Sequence, residues 1–275
     1  MEKWRGPQAD GRGFVVFVHG LWMHAQSWQS WVELFDRSGY DCISTAWPGE
    51  SPTVAACRSR PGLMSGVGIE QVLDEAARVI GAQAPRQPIV IGHGTGGLIG
   101  QILLSRNLAS SAIALAPMHW SLMPWPSLLG AGHAWPGLRH MIGYRRAVMP
   151  TPVHFSHGFA NTIEAAEANG LYEQYVIPAA CRPLTQTMFA GHRWRSPACV
   201  NGAANRGPLL LVSGGRDACT REAAVGALER RYRRRLPDAI TDHQVFPGRG
   251  HSLAVDSRWR DVAYYCLDWL TRQNL

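Results

Sequence analysis

One six-residue stretch, Gly92-His93-Gly94-Thr95-Gly96-Gly97, constrains the fold of this chain more than any other. It separates two apolar runs, Pro88 to Ile91 and Leu98 to Leu104. The first is short enough for a buried strand, and the second reads as an apolar helix. Its glycines allow a sharp turn in which one stretch of backbone passes close to another. A strand that turns tightly into a helix leaves the first N–H groups of that helix pointing at whatever binds there. The stretch therefore specifies an α/β architecture with its site at the carboxyl end of a strand.

The rest of the chain keeps the same rhythm. Phe14 to Val18, Cys42 to Trp47 and Ala112 to Ala116 read as further strands of the N-terminal half. Trp28 to Arg37 reads as a helix, with Ser27 as its N-cap and Gly39 as its stop. Ile69 to Ile80 is another, acidic early (Glu70, Asp74) and basic late (Arg78), as the helix dipole favours. Nearer the C-terminus, Leu209 to Val212 and Ile240 to Phe246 read as strands, and Arg221 to Leu236 and Trp259 to Leu270 as helices. Strands alternating with helices specify parallel βαβ units and a mostly parallel, doubly wound sheet.

Residues 118–207 break that rhythm and are rich in His, Trp and Pro. A structureless loop of that length is implausible inside a compact domain. The expectation is an inserted helical cap at 118–207 on a core formed by 1–117 and 208–275. Its clearest helix is Asn161 to Leu171, stopped near Gly170.

Composition removes several reaction classes. Of the 27 Lys and Arg residues only Lys3 is lysine, and it lies in a polar N-terminal stretch. A phosphate-binding G-K-[ST] loop and Schiff-base chemistry both need a lysine that this chain lacks at a site. The 6 cysteines form no C-x-x-C pair, so they read as reduced thiols rather than a disulfide framework or a zinc site. With no apolar leader and no run of membrane-spanning length, the expected location is cytoplasmic, with no membrane partner. The net charge of +7 is concentrated in Arg230, Arg231, Arg233, Arg234 and Arg235. No nucleic-acid motif accompanies that run, which reads as the solvated end of a helix.

Four segments follow strands in one order: His19-Gly20-Leu21-Trp22, the glycine-rich turn, Gly214-Gly215-Arg216-Asp217 and Gly248-Arg249-Gly250-His251-Ser252. On these the chain resembles the α/β-hydrolase superfamily over nearly its whole length. It is most similar to small bacterial hydrolases with a helical cap. Further echoes are Trp47-Pro48-Gly49-Glu50 and His157-Gly158-Phe159-Ala160-Asn161. The resemblance implies a G-x-S-x-G elbow carrying a serine nucleophile, followed by an acid and then a histidine. Asp217 and His251 match the acid and the histidine as candidate catalytic residues. It further implies an oxyanion hole from the N–H of Thr95 and that of Leu21 or Trp22, with His19 as a structural residue of its turn.

The nucleophile position, however, is Gly94, which has no atom able to attack a carbonyl. Thr95 is a poor substitute, because the residue after the nucleophile turns its side chain away. Cys219 reads as a small residue packed behind the acid loop. Three readings follow. In the first, the His251–Asp217 dyad is a general base working with the oxyanion hole, for cyclisation, elimination, decarboxylation or water-activated hydrolysis. In the second, the chain is a serine esterase inactivated by a Ser-to-Gly change. In the third, it is a binding protein that uses the pocket as a receptor.

The expected ligand is an apolar or aromatic small molecule, because Trp22, Trp120, Trp125 and Trp135 either line a flat cavity or pack the cap. His24, His93, His119 and Ser121 complete the candidate substrate-binding residues. No metal-ligand spacing occurs on a credible helix, so neither metal nor organic cofactor is expected.

Overall fold

The computed structural model describes residues 12–83, 85–118, 146–188, 190, 196–202 and 205–275. Strand β1 (Arg12–Val18) shows why its sequence is a continuous apolar run. Phe14, Val16 and Val18 pack into one core cluster, while Val15 and Phe17 pack into another. Alternate side chains of a strand leave opposite faces, and a sheet covered on both faces needs apolar residues at every position.

The other strands are β2 (Tyr40–Thr45), β3 (Ile89–His93), β4 (Ser111–Leu115), the short β5 (Ala147–Val148) and β6 (Ala179–Ala180), β7 (Leu209–Gly214) and β8 (Thr241–Phe246). Six of them form one sheet in the order β2-β1-β3-β4-β7-β8. All its neighbouring strands run parallel. Helices α1 (Gln29–Arg37), α2 (Val54–Ser59), α3 (Ile69–Gly81) and α4 (Thr95–Ser105) belong to the N-terminal half. Helices α5 (Pro152–Gly158), α6 (Ala165–Tyr175) and α7 (Arg182–Met188) lie between β4 and β7, and α8 (Glu222–Arg235) and α9 (Trp259–Arg272) come last. Apolar residues of α3, α4 and α8 join the cluster on one face of the sheet, and those of α1 and α9 join the other. This is the doubly wound fold that the βαβ rhythm specifies.

The strand order places a reversal of direction between β1 and β3. The chain leaves β1 toward β2 on one side and returns to β3 on the other. The carboxyl ends of β1 and β3 are adjacent, with Val18 opposite Gly92 in the register. A crevice at such a reversal is where open α/β sheets bind ligands.

Three local expectations are corrected. Ser27 is not an N-cap but lies inside a 3-10 turn, Ala25–Trp28, capped by the His24 side chain. The turn starts early because Glu50 takes the Ala25 N–H at 2.8 Å. The second strand spans Tyr40–Thr45 rather than reaching Trp47, whose N–H also goes to Glu50. Helix α6 begins at Ala165 and runs through Gly170 to Tyr175. The glycine is tolerated there because Ala168, Leu171 and Tyr172 are buried, and packing outweighs its propensity cost of about 1 kcal/mol.

The arginine run occupies the end of α8, where Arg233 pairs with Glu229 at 2.9 Å. Among the described residues no helix is long and apolar enough to cross a membrane.

Candidate active site

Gly94 stands between β3 and α4 with φ 56° and ψ −114°. An L side chain rarely adopts this backbone conformation. The turn is held from both sides. The Gly94 N–H donates to the Leu115 carbonyl at 2.9 Å, and its own carbonyl accepts from the Met118 N–H at 2.9 Å. Gly96 must lack a side chain for another reason, since a Cβ there would lie 2.0 Å from the Val18 carbonyl oxygen. Close approach of α4 to β1 therefore fixes the turn, and Thr95 opens the helix at its tip.

Asp217 follows β7, and His251 opens a 3-10 turn after β8. The His251 Nδ1–H donates to Asp217 Oδ2 at 2.8 Å. Asp217 Oδ1 accepts the N–H groups of Cys219 and Thr220, each at 2.7 Å. With Nδ1 so committed, Nε2 is the ring atom left for chemistry. It faces the turn: a Cβ at residue 94 would stand 3.4 Å from His251 Nε2. The His251 loop is braced by a buried Arg249–Asp256 ion pair, with the Ser252 hydroxyl donating to Asp256 at 2.9 Å.

His93 sits behind His251. Its Nε2–H donates to the His251 backbone carbonyl at 3.0 Å, and the two ring centroids are 4.7 Å apart. Burial, followed by the neighbouring His251, holds the His93 ring well below the ordinary imidazole range. The buried His93 ring thus braces the backbone of His251.

The opposite wall is the segment after β1. Leu21 and Trp22 are buried, and Trp22 adopts φ 66°. The Trp22 indole N–H donates to the Val148 carbonyl, and the Ile177 N–H donates to the Trp22 carbonyl, both at 2.9 Å. Met23 bridges Val176 in antiparallel fashion. The segment is thus sewn to residues that lie between β4 and β7 in the chain. On its other side a buried carboxylate, Glu50, accepts from His19 Nε2 at 2.8 Å and from the N–H groups of Ala25 and Trp47. Burial pushes the Glu50 carboxyl up, but the His19 ring and these N–H groups outweigh it and hold the group below its usual range.

His24 does not join the site. Its Nε2–H donates to the Ser51 carbonyl at 3.0 Å, and its Nδ1 accepts from the Gln26 N–H at 3.1 Å. Both ring nitrogens are used in closing the loop, so the expected ligand contact is replaced by a structural one. His119, Trp120, Ser121 and Trp125 lie outside the described residues, as does Trp135.

Two neighbours of the dyad carry no assigned role in the sequence reading. The Phe159 ring stands 5.2 Å from the His251 ring and 5.5 Å from that of His93, edge-on to both. Asn161 Nδ2 donates to the Arg216 carbonyl at 2.8 Å and so ties the segment after α5 to the acid loop. Both residues belong to the His157–Asn161 echo, which is visible in sequence. Their contacts, however, join residues far apart in the chain and leave no periodic signal.

Asp217, Cys219 and His251 each place one potential metal-ligating atom within 4.8 Å of the others. The donor set is already spent: both Asp217 oxygens accept hydrogen bonds, and the Cys219 thiol donates to the Gly158 carbonyl at 3.3 Å. Part of Cys219 is exposed while its thiol stands deep among protein atoms. Burial, then the charge of Asp217, pushes that thiol well above its ordinary range. The arrangement suits proton transfer at Nε2 better than metal ligation or thiolate attack.

Known proteins share this geometry at the level of fold. No curated protein matches the sequence significantly. A monoacylglycerol lipase of Paleococcus ferrophilus superposes with a TM-score of 0.68 at 18% identity, covering 95% of each chain. An extracellular alpha/beta-hydrolase from a Paenibacillus species, described as sharing structural and functional homology with tobacco salicylic acid binding protein 2, gives 0.68 at 16% identity, covering 94% of this chain and 98% of its own. The methylesterase MES16 of Arabidopsis gives 0.65 at 16% identity, covering 94% of this chain and 99% of its own. The sequence matches the alpha/beta hydrolase family over residues 15–263, and the chain belongs to that family.

Proposed function

We propose that this chain is an enzyme in which His251, oriented by Asp217, acts as a general base on an apolar or aromatic small molecule, without a serine nucleophile. Developing negative charge on the substrate is met by the N–H of Thr95 and that of Leu21 or Trp22. The observation that carries this reading is the 2.8 Å contact of His251 Nδ1 with Asp217 Oδ2, which leaves Nε2 directed at the side-chain position of residue 94. A preorganised base beside helix N–H donors lowers barriers for proton abstraction or water attack alike. Phe159 and Met118 beside the turn favour an apolar ligand. No cofactor, nucleic acid or membrane enters this reading.

The test uses a probe that needs only a base. 5-Nitrobenzisoxazole opens to a coloured phenolate once its ring C–H proton is removed. Turnover that disappears in His251→Ala supports the reading, and equal turnover in the variant overturns it.

A second reading is a serine esterase carrying a Ser-to-Gly change, and one observation favours it. A side chain at residue 94 would point at Nε2 within hydrogen-bonding reach of a hydroxyl. The codon for residue 94 in the native gene separates the two.

A further inference from the structure

We propose that Asn161, in the segment between α5 and α6, is a positioning residue of the dyad: one side chain that touches the residue preceding each member, Arg216 before Asp217 and Gly250 before His251. The proposal rests on the general-base reading and names the residue that keeps its two groups in register. Asn161 Nδ2 donates at 2.8 Å to the Arg216 carbonyl, which belongs to the peptide bond entering Asp217. The Oδ1 of the same side chain lies against Gly250, where a Cβ would stand 2.5 Å from it and 2.8 Å from Thr162 Oγ1. Gly250 has φ −97° and ψ −159°, extended backbone open to any residue. Close approach of Asn161 and Thr162, and not the turn itself, therefore requires glycine at 250. Two sequence motifs, His157 to Asn161 and Gly248 to Ser252, thus meet in one contact.

These contacts close a ring at the base of the dyad. The Arg216 N–H donates to the Arg249 carbonyl at 2.9 Å, so Arg216 is held through its N–H and its carbonyl at once. Arg249 leads into Gly250, and Gly250 returns to Asn161. Rotation of the Arg216–Asp217 peptide would turn the Asp217 carboxylate away from His251 Nδ1, and a shift of Gly250 would carry the imidazole with it. Small displacements of a positioned group cost rate steeply. Asn161 is itself exposed, while Phe159, two residues earlier, stands edge-on to the His251 ring. An exposed hydrogen bond contributes little to unfolding free energy, because water replaces it. Loss of Asn161 is accordingly felt in the placement of His251 Nε2 rather than in stability.

The test compares the intact chain with Asn161→Ala on 5-nitrobenzisoxazole, and follows the hydrogen-bonded Nδ1–H proton of His251 by NMR, identified by its absence from His251→Ala. The variant is expected to lose about tenfold in kcat, with KM unchanged within about twofold. Its Nδ1–H signal is expected to shift or broaden at an unchanged melting temperature. Gly250→Ala, whose added methyl displaces Asn161, should show the same loss, and the double variant should be no worse than Gly250→Ala alone. Parent-like kcat and Nδ1–H signal in Asn161→Ala overturn the positioning role, as do fully multiplicative losses in the double variant. A lowered melting temperature with the Nδ1–H signal intact makes Asn161 a brace for the fold and overturns it too. If turnover by the parent depends on His251 in those cases, the general-base reading stands and only the role of Asn161 falls. If no His251-dependent turnover appears, the general-base reading falls and the Nδ1–H signal decides alone: altered in Asn161→Ala it supports the positioning role, unchanged it overturns it.

Discussion

The Nε2–H of His93 donates to the backbone carbonyl of His251 across 3.0 Å, so one buried histidine seats the other. That bond favours the charged His93 ring, but burial, then His251, outweighs it and depresses the pKa well below the ordinary value. In the unfolded chain the same ring binds a proton near pH 6.5. Between the depressed folded value and about 6.5 the unfolded state therefore holds more protons. The stability that His93 contributes is complete above about pH 6.5 and is lost as pH falls below it. His93→Gln, which keeps an N–H donor, should flatten this acid slope by up to about 1.4 kcal/mol per pH unit. Denaturant unfolding between about pH 5 and 7.5 measures it, and an unchanged slope would mean that His93 does not contribute to it.

In the proposed reaction Asp217 orients His251 and stabilises the imidazolium that proton transfer creates. Asp217→Asn removes the charge while keeping the size, and leaves the ring free to adopt the other tautomer. Turnover of 5-nitrobenzisoxazole should fall on the order of 10²- to 10⁴-fold, with KM little changed. A loss smaller than about threefold would remove the dyad from the proposed chemistry.

Restoring a hydroxyl at the elbow is expected to have two separable effects. Gly94→Ser places a side chain on a backbone with φ 56°, which costs about 1–3 kcal/mol of unfolding free energy. The new hydroxyl would face His251 Nε2 and become a nucleophile. The variant should therefore gain stoichiometric labelling by a fluorophosphonate that leaves the parent chain untouched. A folded variant that neither labels nor cleaves activated esters would show that base and N–H donors are out of register for acyl transfer.

Cys219 supplies the nearest alternative nucleophile, and its surroundings work against it. Burial and Asp217 keep the thiol protonated, and its hydrogen goes to the Gly158 carbonyl. Cys219→Ala should keep His251-dependent turnover within about threefold of the parent, since a neutral thiol is a weak nucleophile. Loss of most turnover, with the fold intact by circular dichroism, would reassign the nucleophile to sulfur.

The sheet is legible in sequence because its strands are covered on both faces, which turns each into an unbroken apolar run such as Val15 to Val18. The short helices α2, α5 and α7 have too few turns to establish a periodicity and are missed. At the candidate site, Asp217, His251 and Gly94 stand out in sequence because each sits in a glycine-marked loop after a strand. Glu50 also follows a glycine in the loop after β2, within the Trp47–Glu50 echo, but that sequence signal names no partner for it. Its importance comes from His19, 31 positions away, and only the tertiary fold brings them together. His24 misleads for the same reason, since a histidine beside a candidate oxyanion segment looks functional until both its ring nitrogens are traced to loop contacts.

Glu50 is the hub on which the segment Gly20 to Met23 is positioned, and replacing it should separate positioning from stability. Its side chain is 1% exposed and serves His19, Ala25 and Trp47 at once. His19 Nδ1 in turn contacts the Gly20 carbonyl at 2.9 Å, which links Glu50 to the peptide entering Leu21. Glu50→Gln replaces an acceptor of charged character by one oxygen and an NH₂ that no N–H donor can use. Unfolding free energy should fall by about 1–3 kcal/mol, as for a buried donor left unpaired. Turnover should fall roughly tenfold through kcat while KM changes little, because a displaced oxyanion donor weakens only the transition state. The carboxyl is held below its usual range in the folded chain, so its contribution is complete above the unfolded value of about 4.3 and is lost as pH falls through the folded one. The parent should therefore show an acid step below about pH 4 that Glu50→Gln lacks. A variant elsewhere in the core, matched for lost stability, is the control. If its kcat falls equally, Glu50 is a brace for the fold and does not position the Gly20–Met23 segment.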